Sequence, residues 1–481
     1  MPKITNPILP GFHPDPSICR VGSDYYLVTS TFEYFPGLPI YHSQNLADWT
    51  LIGHGLSRPD QLKLSTRNPN AFGLYAPTLR YINDRFYLVC TNVGESDGPE
   101  GNFLLWTDDI TGEWSNPIWL DTPGIDPTIF ADDDGQTYYL GTHKDIYLRT
   151  IDLETGVLGP RKNIWSGSGA ADPEGPHLYK KDGYYYLLIS EGGTSYGHML
   201  TMARSRSLIG PYEECPDNPV MTNRSTNLPL QAAGHADLVQ DTKGDWWAVC
   251  LAVRPISYPL RHLLGRETCL LPVDWSGDWP VFGEDGHLPI TISVPETNSL
   301  KTAKKIDYVT LFAWDPVLIE QVEQKFIFKP NSVGLSDQKN LAAVFQRQTT
   351  FDQQFEATFD CTALTAGEAG ITVFLNPTHH YDLFFESKQQ GQYLVFRRQI
   401  GSLWKVEQEV PYTKSTVTLG VVSDKTSYRF YFINDQGQIQ CLGSGETKYL
   451  TTEVGGVFTG IMVGCYARSQ LSQQTVVVQG F

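Results

Sequence analysis

Apolar and polar positions along the first ~290 residues follow one pattern five times, at roughly the 50–60 residue spacing of a propeller blade. The five stretches are DPSICRVGSDYYLVTS from Asp15, APTLRYINDRFYLVCT from Ala76, DPTIFADDDGQTYYLGT from Asp126, EGPHLYKKDGYYYLLIS from Glu174 and HADLVQDTKGDWWAVCL from His235. Each runs from a polar or small starter into a short apolar strand. A turn of Asp, Gly or Asn follows, and then a strand rich in Tyr, Phe or Trp. β-Formers on both sides of such turns predict hairpins. Helical periodicity is nearly absent. Five repeats of this kind predict five blades around a channel.

The pattern sorts the acidic residues. Asp24, Asp84, Asp133, Asp182 and Asp245 fall in or beside the hairpin turns, where aspartate is ordinary turn chemistry. Asp15, Asp126, Glu174 and His235 are starters. The first strand of a propeller blade is the innermost, so these starters converge at one mouth of the channel. Asp15 also lies between Pro14 and Pro16, and a residue before proline is biased toward extended backbone. That frame predicts a carboxylate held stiffly in one direction.

From about residue 300 the Asp/Tyr punctuation stops, and short alternating segments such as FEATFDCTAL, AGITVFLNP, HYDLFFES and YRFYFIND take over. Period-2 alternation over many strands predicts a β-sandwich of ~170 residues. A chain of 481 residues is too long for one ordinary core. The expected domains are a five-bladed β-propeller over 1–300 and a β-sandwich over 301–481, an all-β protein.

Composition narrows the partners. The formal net charge of -17 and the lack of a basic stripe exclude nucleic acid and anionic membrane surfaces. No apolar run approaches the roughly 18 residues of a membrane helix, and the start MPKITNPILPGF has no signal-peptide pattern, so a cytoplasmic location is expected. Eight dispersed cysteines without a C-x-x-C read as buried reduced thiols. Asn223-Arg-Ser fits a glycosylation sequon, which such a location would leave unused. The 25 Tyr, 23 Phe and 11 Trp suit both all-β folds and sugar-binding clefts.

Three carboxyls in one dry pocket cannot all behave as ordinary acids, because desolvation and like charge raise at least one pKa. A carboxylic acid facing a carboxylate is the equipment for glycosidic-bond hydrolysis. Metal-ligand spacing, a phosphate-cradling glycine loop and a nucleophile elbow are all missing from the sequence.

The ordered set NPILPGFHPDPSI, STFEYFPGLPIYHSQNLADW, GLYAPTLRY, GIDPTIF, EGPHLY, EGGTSYGHMLTMARS, GHADLV and LGRETCLLPVDW resembles glycoside hydrolase family 43. The likeness is strongest to β-xylosidases and α-L-arabinofuranosidases with an appended concanavalin-like jelly roll. It implies an inverting five-bladed enzyme in which Asp15 is the general base, Glu174 the general acid and Asp126 a third acid that tunes the general acid. It implies carboxyls of Asp15 and Glu174 roughly 6.5–9.5 Å apart, leaving room for a water. Further sugar contacts implied are Phe32, Tyr75, Thr194, His235, Arg266 and, from the sandwich, Phe458. No cofactor is required, although some family members hold calcium beside the residue matching His235, so a channel Ca2+ is left open. The expected substrate is a xylooligosaccharide or an arabinose-containing oligosaccharide, with D-xylose released from the non-reducing end of β-1,4-linked chains. The alternatives are an α-L-arabinofuranosidase, an enzyme with both activities, and a non-catalytic sugar-binding propeller. A homo-oligomer is left open. Tyr34, Tyr75 and His262 depart from the family, which has Trp, Trp and Cys there, and an effect on substrate preference is expected.

Overall fold

The computed structural model describes residues 2–66, 72–94, 100–294 and 305–481. The chain forms two compact units, Met1–Pro255 with Arg266–Lys305, and Ile256–Gly265 with Ile306–Phe481. The expected boundary at 300/301 lies outside the described residues. Both units are β structure, and the helical pieces are single turns at Thr447–Leu450 and Thr452–Gly455.

Among the described residues the first unit carries five antiparallel sheets of four or five strands, one for each repeat. Their opening strands are Ser17–Val21, Thr78–Ile82, Ile125–Ala131, Glu174–Lys181 and Gln231–Gln240. Each pairs with the aromatic-rich strand that follows it, as the hairpin pattern requires. The turns are those the sequence marks. Asn83 and Asp84 are both left-handed (φ 49 and 61), as are Asp182 and Gly183 (φ 51 and 77), the geometry of a tight hairpin. Ser17–Val21 lies beside Thr78–Ile82 and Gln231–Gln240, Thr78–Ile82 beside Ile125–Ala131, Ile125–Ala131 beside Glu174–Lys181, and Glu174–Lys181 beside Gln231–Gln240. The five opening strands therefore close a round.

Packing follows from this arrangement, because the apolar clusters lie between neighbouring sheets. Ile18, Leu27 and Tyr41 of one sheet meet Trp247, Val249 and Leu270 of another. Val89 and Leu104 meet Ile129 and Tyr139, and Leu140 and Leu148 meet Leu187 and Ile189. Each such side chain fully withdrawn from water contributes about 1.5–3 kcal/mol.

The second unit has a seven-stranded and a six-stranded sheet. The expected alternation is clear in Gln353–Asp360, where Phe355, Ala357 and Phe359 are buried between more exposed neighbours. Seven of the eight free cysteines are buried; Cys441 departs from expectation and is exposed. Asn223 is fully buried and donates to the carbonyls of Leu230 and Leu288, so folding hides the sequon. Among the described residues no helix is long and apolar enough to cross a membrane.

Candidate active site

Asp15 ends the segment leading into the first opening strand. The backbone N–H of His13 donates to Arg266 O at 3.0 Å and that of Ser30 to Pro14 O at 3.2 Å, which stitches the segment in place on two sides. The expectation from the flanking prolines fails in one respect. Asp15 is left-handed, with φ 53, rather than extended. Asp126 also precedes a proline and also has φ 53, while His235 has φ 48. Such backbone is costly for residues other than glycine and persists where its surroundings over-determine it. Three of the four polar starters share it, and it re-aims each side chain at the point where its strand begins.

Both oxygens of Asp15 are held. Arg266 Nη1 donates to Oδ1 and Ser30 Oγ to Oδ2, each at 2.5 Å, and all three residues are buried. Arg266 thus pairs with Asp15, while its sequence neighbour Glu267 takes Arg254. Asp126 Oδ2 accepts the N–H of Gly175 at 3.2 Å, which ties it to the residue after Glu174. Burial pushes the Asp126 carboxyl well above the usual range, and the charges of Glu174 and then Asp15 push it further. Glu174 and Asp15, distant in sequence, thus both act on Asp126; Asp15 and Asp126 are buried and Glu174 is half-buried.

Glu174 opens its strand at a bulge, since the register shifts between Glu174 and His177. The loop before it is anchored by Glu191. This fully buried carboxylate accepts from the N–H and Oγ of Ser168, the N–H of Ala170 and Oγ1 of Thr201. On the other side of Glu174, His198 Nε2 lies 3.3 Å from Oε1.

Aromatic rings line the same region. Phe32 is buried with its ring centroid 5.1 Å from that of Tyr75, and the Arg266 guanidinium carbon is 5.5 Å from the Phe32 centroid. The Tyr75 hydroxyl is pushed up to about 12, mainly by burial; the Arg266 charge lowers it, and Asp126, Asp15 and Glu33 raise it. It is a neutral donor at ordinary pH. His235 is buried, donates its N–H to Ser190 Oγ at 2.7 Å, and packs its ring where a Cβ on Gly175 would come within 2.9 Å of Cε1. Burial lowers its pKa, so the ring is held neutral, while the charges of Asp15 and Glu174 act in the opposite direction.

The two remaining expected contacts are Thr194 and Phe458. Thr194 is exposed on the turn after Glu191, with no hydrogen bond to the three acids among the described residues. Phe458 belongs to the second unit and is 37% exposed. His262 also belongs to that unit, where its N–H and Nδ1 both meet Glu453.

Sequence patterning did not disclose a second polar layer. Ser17, Arg80, Thr128, His177, Tyr179 and Asp237 form one hydrogen-bonded cluster contributed by all five sheets. Asp237 accepts from Ser17, Arg80 and Tyr179, and His177 Nδ1 accepts from Arg80 at 2.9 Å and lies 3.3 Å from Thr128 Oγ1. Its signal was present: Ser17, Thr128 and Asp237 each stand two residues after a starter. Asp237 in this layer is not placed to ligate a calcium ion. Calcium takes six to eight oxygens, whereas the carboxylate of Asp237 already accepts from a guanidinium and two hydroxyls.

The raised pKa of Asp126 carries a stability prediction. In the unfolded chain this carboxyl ionises near 3.8, and in the fold it holds its proton to higher pH. Its contribution is fully favourable below 3.8 and is lost as pH rises through the folded value. Asp126→Asn, which keeps an acceptor for Gly175, should therefore raise Tm. The gain should be small at pH 4 and grow toward neutrality in a pH series of thermal melts, while turnover falls.

Comparison with known proteins shows the family. Residues 4–280 match the model of glycosyl hydrolases family 43, and residues 328–479 that of the β-xylosidase C-terminal concanavalin A-like domain. The chain is 40% identical over 490 residues to the non-reducing end alpha-L-arabinofuranosidase BoGH43B of Bacteroides ovatus, covering 96% of this chain and 90% of that protein. It is 35% identical over 517 residues to a beta-xylosidase of Bacillus subtilis, with 96% of each covered. The crystal structure of xylan beta-1,4-xylosidase from Bacillus halodurans superimposes with a TM-score of 0.92 at 32% identity, covering 99% of each chain. An all-β, propeller-type unit with three interacting acids, followed by a concanavalin-like domain, makes this chain a member of glycoside hydrolase family 43.

Proposed function

We propose that the five sheets are the blades of a five-bladed propeller, and that the enzyme releases D-xylose from the non-reducing end of β-1,4-xylooligosaccharides with inversion. The observation that supports this reading is that Asp15 and Glu174 both act on Asp126 and on His235, although these starters belong to separate sheets. Asp15, aimed by Arg266 and Ser30, takes a proton from a water that attacks the anomeric carbon. Glu174 gives a proton to the glycosidic oxygen as that bond breaks. Asp126, tied to Gly175, orients Glu174 and adds negative charge or a proton beside it. Phe32 and Tyr75 offer apolar faces to the sugar ring, and the Tyr75 hydroxyl offers a donor to a sugar hydroxyl.

The test is product analysis on xylotriose by proton NMR during the first turnovers. α-Xylose appearing first is expected. β-Xylose first would mean retention, and would overturn the roles of Asp15 and Glu174 as base and acid. A second reading, α-L-arabinofuranosidase action, is favoured by the 40% identity to an enzyme of that name. Parallel assays on the nitrophenyl xyloside and arabinoside separate the two, and faster arabinoside turnover would put the arabinofuranosidase reading first.

A further inference from the structure

We propose that His198 is a positioning residue for the proton that Glu174 delivers, so that the two side chains hold one proton between them. The inference rests on the reading of Glu174 as general acid. His198 immediately precedes the strand Met199–Ser205, in the same sheet as Glu174, and is 1% exposed. Its Nδ1 lies 3.3 Å from the carbonyl oxygen of Ala232. A carbonyl can only accept, so Nδ1 bears the hydrogen. In the neutral ring Nε2 is then a bare lone pair. That lone pair is 3.3 Å from Glu174 Oε1, and Nε2 has no hydrogen-bond partner among the described residues.

The ring is seated against Gly234. A Cβ on Gly234 would come within 2.5–2.6 Å of Cε1, Nδ1 and Nε2, so the ring lies flat in space that only glycine leaves. Two acceptors facing each other repel. One proton between them gives a hydrogen bond, drawn either as Glu174 O–H to Nε2 or as the imidazolium N–H to a carboxylate. The other charged or titratable groups acting at this point are Asp126, Asp15, Arg266 and His235. Among these, Arg266 is engaged by Asp15.

The balance over one turnover is closed. The shared proton goes to the glycosidic oxygen as the bond to the anomeric carbon breaks, and the leaving sugar departs as an alcohol. The proton of the attacking water ends on Asp15. Proton exchange with solvent then returns one proton to the Glu174–His198 pair and removes one from Asp15.

The experiment compares wild type, His198→Phe and His198→Gln on xylobiose and on a dinitrophenyl xyloside, whose leaving group departs without protonation. On xylobiose kcat should fall about 10-fold, a part of the 10²–10⁴ that general-acid catalysis supplies. The alkaline limb of the pH–rate profile should move toward acid, with KM within about twofold of wild type. Turnover of the dinitrophenyl substrate should be nearly unchanged. Equal losses on both substrates, or an unmoved alkaline limb in a folded variant, would overturn the proposal. Neutron diffraction on the wild-type protein tests it without a variant. Deuterons on Nδ1 and between Nε2 and Oε1 are expected, and a bare Nδ1 would overturn it. Glu174→Ala separates the two readings. If that variant keeps full xylobiose turnover, the general-acid assignment itself fails. If it loses xylobiose turnover while the His198 variants do not, only the role of His198 falls.

Discussion

An Asp15→Asn enzyme should turn over xylo-oligosaccharides about 10²–10⁴-fold more slowly than wild type, with KM little changed. The substitution is nearly isosteric. Asparagine also tolerates left-handed backbone such as the φ of 53 at this position. Its carbonyl oxygen can still accept from Arg266, and its amide can donate to the Ser30 hydroxyl, so the two partners of Asp15 remain bonded. What is lost is the capacity to take a proton from water in the transition state, which is why kcat carries the loss. Steady-state kinetics on xylotriose, with circular dichroism and a thermal melt to establish folding, give the answer. A folded variant with kcat within a few-fold of wild type would remove Asp15 from the role of base. The neutral residue also takes the Asp15 charge away from the buried Arg266 guanidinium, so some drop in Tm should accompany the kinetic loss.

The starters were legible because repetition exposes them. A polar residue heading the same apolar strand in successive repeats is a positional signal that no single motif gives. Hairpin turns were legible for the same reason, and the structure puts left-handed backbone at Asn83, Asp84, Asp182 and Gly183. The left-handed conformation of Asp15 was not legible, because the proline rule describes a local preference and this backbone is imposed by contacts with residues near 30 and 266. The second polar layer was hidden for a different reason. Serine, threonine and histidine near a strand start are compatible with many environments, and only the closing of the round brings Ser17, Thr128, His177 and Asp237 together. His177 stands at the third position after its starter, where Ser17 and Thr128 stand at the second, so a fixed spacing does not find it. His198 lies in the family-like stretch EGGTSYGHMLTMARS, but its bearing on Glu174 depends on Gly234, from another sheet. Thr194 lies in the same stretch and is exposed on the turn after Glu191.

Removing the cation from that second layer should have the largest effect on stability. Asp237 is completely buried. Its two oxygens accept from Arg80 at 2.7 and 3.0 Å, from Ser17 Oγ at 2.7 Å, from Tyr179 at 2.7 Å and from the N–H of Ile18 at 3.0 Å. Arg80 and these hydrogen bonds outweigh burial and hold its carboxyl below the usual range. Arg80→Met preserves much of the side-chain volume and leaves the anion uncompensated, a change that costs about 3–5 kcal/mol. At about 2–4 °C per kcal/mol for a unit of this size, Tm should fall on the order of 10 °C. The pH dependence distinguishes a lost ion pair from lost packing. In wild type the depressed Asp237 contributes stability above pH 3.8 that disappears as pH falls through its folded value. His177, lowered from 6.5 to about 3 chiefly by burial, adds a loss of stability between those values as pH falls. In Arg80→Met the unpaired carboxylate gains from protonation, so the Tm difference from wild type should be widest near pH 7 and narrow toward pH 4. Adding Asp237→Leu should restore much of the stability, because a buried pair replaced by apolar groups is far less costly than one broken in half. A single variant that melts within about 2 °C of wild type at pH 7 would mean that the charge pair is not what holds this layer. The consequence would reach catalysis, since Ser17 and Asp237 stand two residues from Asp15 and His235, and a displacement of about 1 Å at a reacting group costs on the order of 10²-fold in rate.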